Sequence, residues 1–179
     1  MKIQIFSLAI YVAFILYLKF SYKEKSYKSP KNVLLFLGAA ALLLRFVIAI
    51  SSVGYETDLN CFKGWAMQAA STLPWNFYDS IWCDYPPGYL YVLAPVGALG
   101  NIGIPQNLFS ALIKLPACIC DVLTAFMLYK IVKEHLNDDG ALSAAALYLF
   151  CPATIVNSAL WGQVDSVFTL ILICSLCIF

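Results

Sequence analysis

Apolar residues occur along this chain in long runs that are separated by short polar stretches. The runs cover residues 3–18, 33–53, 89–104, 108–129, 141–156 and 166–179. A helix that crosses a bilayer needs about 20 consecutive apolar residues, and this alternation is typical of membrane proteins. We therefore predict an all-α fold: a polytopic transmembrane helical bundle that forms one membrane domain over residues 1–179.

Two of these runs are short for a complete crossing. The run 89–104 contains Pro95 and several glycines. If it spans fully, residues 161–165 are cytoplasmic. If it is re-entrant or interfacial, which we favour, the same residues face outward. The run 166–179 is also too short to cross, so we expect the chain to be the N-terminal part of a longer protein.

The distribution of lysine orients the predicted bundle. Residues 19–32 contain five lysines and one glutamate. Cytoplasmic loops of membrane proteins carry an excess of Lys and Arg. The loop 19–32 is therefore predicted to be cytoplasmic, and the loop 54–88 to be extracytoplasmic. Lys130 and Lys133 favour a cytoplasmic end for the run 108–129.

The composition supports a membrane location and excludes other classes. Hydrophobic residues make up 62% of the chain and charged residues 12%, against about 45–50% and about 25% in soluble domains. A net charge of +1 gives no electrostatic basis for binding nucleic acid. His135 and the scattered cysteines lack zinc-ligand spacing. Cys61 and Cys83 share the outer loop and are either a disulfide or two free thiols.

The outer loop 54–88 contains a predicted amphipathic helix. Asp58 is suited to cap a helix that starts at Leu59, and the apolar residues that follow are spaced at helical intervals. Several aromatic residues, Trp65 among them, accompany the pattern. We expect a helix over residues 59–72 that lies in the membrane interface.

Three charged residues fall inside the apolar runs. Ionisable residues at membrane depth are costly and are candidate functional residues. Lys114 and Asp121 are seven residues apart, so they share a helix face, but a direct ion pair would be stretched. Each is expected to point into the bundle. Arg45 is expected either to reach the nearer interface or to bind an anionic ligand such as a lipid phosphate.

Several short segments occur in an informative order. They are GYETD at 54–58, DYPPG at 84–88, KLP at 114–116 with Asp121, and NSALWGQVD at 157–165. This order resembles the GT-C superfamily of polytopic glycosyltransferases. The similarity is greatest to the mannosyltransferases and glucosyltransferases that include the GPI-anchor and asparagine-linked glycan assembly enzymes.

The resemblance implies an activity and a set of site residues. Asp58 matches the acidic residue of the first outer loop that acts as catalytic base, and Asp165 matches its partner. The substrate-binding residues are expected to be Arg45, Trp65, Asp84, Tyr85, Gln163 and Asp165. The expected reaction moves a hexose, mannose by preference, from a polyprenyl-phosphate sugar with inversion. The acceptor is a glycan, lipid or protein on the extracytoplasmic side.

Some points stay open at this stage. Some GT-C members use a divalent cation between loop carboxylates and others do not, so the cofactor is unknown and no metal ligands are assigned. The membrane is the plasma membrane in a prokaryote or the endoplasmic reticulum in a eukaryote. The alternative functions are a transporter or flippase of lipid-linked substrates, with Arg45, Lys114 and Asp121 lining a pathway, and a non-catalytic membrane scaffold.

Overall fold

The structure is a computed structural model that describes residues 29–73 and 75–178. The predicted first span at 3–18 and most of the lysine-rich loop 19–32 lie outside the described residues. The predicted all-α fold is confirmed, since every regular element in the described ranges is helical. The helices are α1 Pro30–Ser51, α2 Glu56–Thr72, α3 Phe77–Ser80, α4 Pro87–Asn101, α5 Gln106–Lys133, α6 Asp138–Leu149, α7 Pro152–Ile155, a π-helix Val156–Trp161 and α8 Asp165–Ile178.

Among the described residues, two helices are long and apolar enough to cross a membrane. They are α1 and α5, which coincide with the runs 33–53 and 108–129. The predicted continuous span 141–156 is interrupted instead, because α6 and the segment Pro152–Trp161 meet at an angle of 41°. The break lies at Pro152, which has no backbone N–H to continue the ladder of α6. The last helix, α8, is shorter and apolar.

The amphipathic helix of the outer loop is present but starts earlier than predicted. It begins at Glu56, and its N-cap residue is Tyr55 rather than Asp58. The prediction that Asp58 caps this helix is therefore wrong, since Asp58 lies inside the first turn. The buried face of α2 consists of Leu59, Phe62, Trp65, Ala66 and Ala69.

Helix α4 packs along α2 at very short range. Tyr89 at the start of α4 contacts Phe62, and Asn101 at its end donates a hydrogen bond to the carbonyl of Met67. The two helices therefore run in the same direction. Between these points, a Cβ atom added to Gly97 would lie 1.8 Å from the Ala66 carbonyl oxygen. Only glycine fits this approach, so α2 and α4 form one closely packed pair, and the re-entrant or interfacial placement of α4 stays a prediction.

Replacing Gly97 by Ala is expected to destabilise the protein strongly. The added methyl group would meet backbone atoms of α2, which cannot rotate away as a side chain can, so the cost should reach the upper part of the roughly 1–3 kcal/mol range for overpacking. Gly88→Ala is the matched control, because its Cβ would meet nothing within 4 Å. Thermal unfolding in detergent should show a lower Tm for Gly97→Ala only, and equal Tm values would contradict the close contact.

The buried apolar residues form two clusters that share α5. Phe109 and Ile113 belong to the first cluster, with α2 and α4. Val122 and Ala125 belong to the second, with α1 and α6. Two fully buried polar residues of α5, Lys114 and Asp121, lie between these two groups along the helix. The bundle therefore has a polar layer between two apolar cores, and one side of that layer adjoins the outer loop.

Candidate active site

The carboxylate of Asp58 is held by side chains from a distant part of the chain. Oδ2 of Asp58 accepts a hydrogen bond from Nε1 of Trp161 at 3.3 Å and another from Nε2 of Gln163. Trp161 is the last residue of the π-helix and Gln163 follows it, about a hundred residues further along the chain than Asp58. Asp58 is partly buried. The contact brings the first outer loop and the 157–165 segment into one site.

The π-helix presents Trp161 and Gln163 to Asp58. Its wide turn ends at Gly162, which has a φ of 97° in the left-handed region. The carbonyl oxygen of Asn157 then accepts hydrogen bonds from the N–H groups of Gly162 at 3.1 Å and Gln163 at 3.0 Å. A residue with a Cβ atom adopts this φ rarely, so Gly162 allows the chain to reverse direction here. Short π-helical turns are frequent at functional sites.

A backbone hydrogen bond also joins the start of α2 to the end of the π-helix. The N–H of Tyr55 donates to the carbonyl oxygen of Trp161 at 3.0 Å. Gly54 precedes it with a φ of 82°, and a Cβ atom there would lie 2.9 Å from the same carbonyl oxygen. The position of Trp161 relative to α2 is therefore fixed by main-chain contacts as well as by its indole.

Asp165 is held by the same segment as Asp58. It is the first residue of α8, and its Oδ2 accepts a hydrogen bond from Nδ2 of Asn157 at 3.1 Å. Its side chain is exposed. Both acidic residues thus contact side chains of residues 157–163. A joint role for the two carboxylates in one site stays a prediction.

Tyr85 lies within electrostatic range of all three predicted acidic residues. Its ring packs on those of Phe62 and Trp65 at centroid distances of 5.4 and 5.3 Å. Burial raises the pKa of the Tyr85 hydroxyl, and the carboxylates of Asp84, Asp165 and Asp58 raise it further. The phenol is therefore neutral at physiological pH and can donate a hydrogen bond to a substrate oxygen. Asp84 itself is exposed.

Lys114 ties the end of α1 to the π-helix. The residue is fully buried, and its ammonium lies 2.8 Å from Ser52 Oγ and 3.0 Å from the Ser52 carbonyl oxygen. The carbonyls of Ala49 and Leu160 lie at 3.4 and 3.5 Å. These carbonyls are at the C-terminal ends of two helices, where the helix dipole places partial negative charge. Lys114 thus helps to hold the segment that carries Trp161.

Arg45 forms a buried ion pair instead of facing a ligand. Its Nε lies 3.0 Å from Oδ2 of Asp121, and both side chains are fully buried. Its other nitrogens donate to the Leu149 carbonyl at 2.7 Å and to Thr154 Oγ1 at 3.2 Å. Because all three nitrogens bond inside the protein and the side chain is fully buried, Arg45 does not reach the surface of the described bundle. These contacts give Arg45 a structural role, and its expected role in substrate binding stays a prediction.

Trp65 is also buried, and its expected role in substrate binding stays a prediction. Only 5% of its surface is exposed, and its indole N–H donates to the carbonyl oxygen of Trp82 at 2.8 Å. We therefore assign Trp65 to the packing of the outer loop.

The expectation that Lys114 and Asp121 point into the bundle without pairing to each other is confirmed.

Two residues of the site, Asn157 and Trp161, were not assigned from the sequence, because their contacts depend on the π-helix. Lys114 was noted only as a charged residue at membrane depth, and its contact with the end of the π-helix was not predicted. The signal available in the sequence was the polar interruption NSALWGQVD within an apolar region.

Cys61 and Cys83 are both unpaired. Across residues 29–73 and 75–178, no group of three or more His, Cys, Asp or Glu could hold a metal ion.

Comparison with known proteins identifies the family of this chain. The profile of the family described as dolichyl-phosphate-mannose-protein mannosyltransferase matches residues 84–179, more than half of the chain. The chain belongs to this family, which is of GT-C type. It is thus an integral membrane protein of a glycosyltransferase family that uses a lipid-linked sugar and an acceptor. No curated protein and no solved structure matches it.

Proposed function

We propose that this protein transfers a hexose, mannose by preference, from a polyprenyl-phosphate sugar to an acceptor on the extracytoplasmic side of the membrane, with inversion. The observation that carries the proposal is the carboxylate of Asp58, oriented by Trp161 and Gln163 at the start of the outer-loop helix. The order of the motifs and the membrane location alone would fit many functions. A carboxylate whose one oxygen accepts hydrogen bonds from two distant residues is oriented, and its other oxygen is suited to proton transfer.

The geometry around Asp58 supports a role as general base. Both donors approach Oδ2, which leaves Oδ1 for the hydroxyl of an acceptor. As the acceptor oxygen bonds to the anomeric carbon, its proton passes to Oδ1 and the bond from that carbon to the phosphate oxygen breaks. The polyprenyl phosphate leaves with the electron pair. A positioned base contributes about 10²–10⁴-fold to such a step.

Other residues are suited to binding the sugar. Asp165 offers a hydrogen-bond acceptor and Tyr85 a neutral donor, and the carboxylates of Asp165 and Asp58 both raise the pKa of the Tyr85 hydroxyl. Asp84 and Gln163 lie in the two segments that meet there. Hydroxyl groups of a hexose need both donors and acceptors at fixed positions. We assign these four residues to substrate binding and leave a divalent cation outside the mechanism.

The buried ionic residues do not support the flippase alternative. A transport pathway needs ionisable groups that face a cavity, whereas Arg45 and Asp121 are paired and fully buried. Lys114 is likewise buried against main-chain and hydroxyl oxygens. The described residues that motivated this alternative are therefore occupied in structural contacts.

The class of donor provides the direct test. Membranes containing the full-length protein are supplied with dolichyl-phosphate mannose or with GDP-mannose, each carrying radiolabelled mannose, while endogenous lipid-linked sugar synthesis is blocked. We expect label to leave dolichyl-phosphate mannose and to enter an acceptor, and GDP-mannose to be inert. Use of GDP-mannose would contradict the proposal, as would movement of the intact labelled lipid across the membrane without transfer.

A further inference from the structure

Two aromatic rings form a half-exposed surface next to Asp58. Tyr55 is 50% exposed and Trp161 is 46% exposed. Their ring centroids are 5.4 Å apart, with an interplanar angle of 45°. Tyr55 is the N-cap residue of α2, and the indole N–H of Trp161 contacts the Asp58 carboxylate. The surface therefore adjoins the proposed catalytic base directly.

The two rings are held in place although they are exposed. The N–H of Tyr55 bonds to the Trp161 carbonyl, and each residue has a neighbouring glycine at positive φ, Gly54 or Gly162. The indole is fixed again by its hydrogen bond to Asp58. Rings fixed before a ligand arrives lose little conformational entropy on binding. This rigidity suits recognition of a ring-shaped ligand.

Membrane anchoring explains the arrangement less well. Tryptophans at a membrane interface present an apolar ring to lipid and leave the N–H to water or headgroups. The N–H of Trp161 is instead committed to a carboxylate of the protein, so the exposed ring face is directed by the site. Trp75, in the turn after α2, is much more exposed than Trp161, with 85% of its surface accessible.

We infer that the rings of Tyr55 and Trp161 form the surface on which the hexose ring of the lipid-linked donor packs. The inference rests on the proposed function and adds the residues that hold the sugar. One face of a hexopyranose carries several C–H groups and is apolar enough to pack on an aromatic ring, while its hydroxyls extend sideways toward polar groups. Packing on Trp161 would place the sugar beside Asp58, where its anomeric carbon must react.

The test compares binding of dolichyl-phosphate mannose and of dolichyl phosphate to the full-length protein in nanodiscs. Trp161→Ala is expected to weaken binding of the mannosylated lipid about tenfold, the scale of a lost aromatic contact, and to leave dolichyl phosphate unchanged. Tyr55→Ala should weaken it about threefold. That variant keeps the backbone N–H of residue 55, and therefore its hydrogen bond to the Trp161 carbonyl oxygen.

Two further variants separate stacking from other roles. Trp161→Phe keeps a ring but loses the N–H, so it should bind the donor within about threefold of wild type while kcat falls. Trp75→Ala should change neither affinity. Equal weakening of both lipids by Trp161→Ala would overturn the inference in favour of a lipid contact, and so would unchanged donor affinity. A wild-type protein that transfers no mannose would contradict the proposed function instead.

Discussion

Replacing Asp58 by Asn is expected to lower the rate of sugar transfer about a hundredfold or more. Asn has nearly the same shape, and its carbonyl oxygen can still accept hydrogen bonds from Trp161 and Gln163. It cannot take the proton of an acceptor hydroxyl. The loss should therefore appear in kcat, with the amount of protein in the membrane and its thermal stability close to wild type.

The size of this effect separates catalysis from a structural role. An acidic residue in the first turn of a helix stabilises it through the helix dipole by about 0.3–1 kcal/mol. A hundredfold loss of rate corresponds to about 2.7 kcal/mol, more than that electrostatic contribution. If Asp58 only stabilised α2 and held Trp161, Asp58→Asn would retain most of the activity.

Glu56→Gln is the matched control for Asp58→Asn. Glu56 lies in the same first turn of α2, is exposed, and carries the same charge. Its substitution removes one negative charge from the helix N-terminus without touching the Asp58 contacts, so turnover should stay near wild type. Similar losses in both variants would indicate a general electrostatic effect and would contradict a base role for Asp58.

The helices of the fold were predictable because their signal is local. The apolar runs 33–53 and 108–129 correspond to α1 and α5, and the spacing of Leu59 and Phe62 predicted α2. Boundaries were less predictable where two signals compete. Asp58 is a good capping residue in isolation, but its carboxylate is engaged by Trp161 and Gln163, and the helix starts at Glu56, three residues before the predicted start at Leu59.

The contacts between distant segments could not be predicted from one sequence. Arg45 and Asp121 are separated by 76 positions, and nothing in their spacing indicates that they pair. The π-helix has no simple residue pattern, yet it decides where Trp161 and Gln163 point. A resemblance to a known family identified Asp58 and Asp165 as candidates, whereas the residues that orient them became visible only in three dimensions.

Replacing Asp121 by Ala is expected to cause a large loss of stability. Asp121 accepts hydrogen bonds from Arg45 at 3.0 Å, from Ser158 and Ser166 at 2.6 Å each, and from Tyr148 at 3.3 Å. Without it, the guanidinium of Arg45 is buried with no negative partner. Removing one member of a buried ion pair costs about 3–5 kcal/mol.

A double-mutant cycle tests whether the loss comes from the unpaired charge. Arg45→Met combined with Asp121→Ala should be less destabilising than the sum of the two single changes, because no isolated charge remains. The free energy of unfolding is measured by SDS titration of the protein in mixed micelles. Additive losses would show that Arg45 and Asp121 contribute independently to the free energy of unfolding. They would contradict the ion pair as the main source of the stability lost in Asp121→Ala.

Asp138→Ala provides the control, since Asp138 pairs with Lys133 at 2.7 Å but both side chains are partly exposed. Water screens such a pair, so its loss should change stability far less than the loss of Asp121.

The buried pair of Arg45 and Asp121 also has a consequence for the active site. Ser158 lies in the π-helix and Ser166 follows Asp165 in α8, so loosening Asp121 should disturb the segment that presents Trp161 and Gln163 to Asp58. Asp121→Ala should therefore lower sugar transfer at temperatures where the protein is still folded, and Asp138→Ala should not.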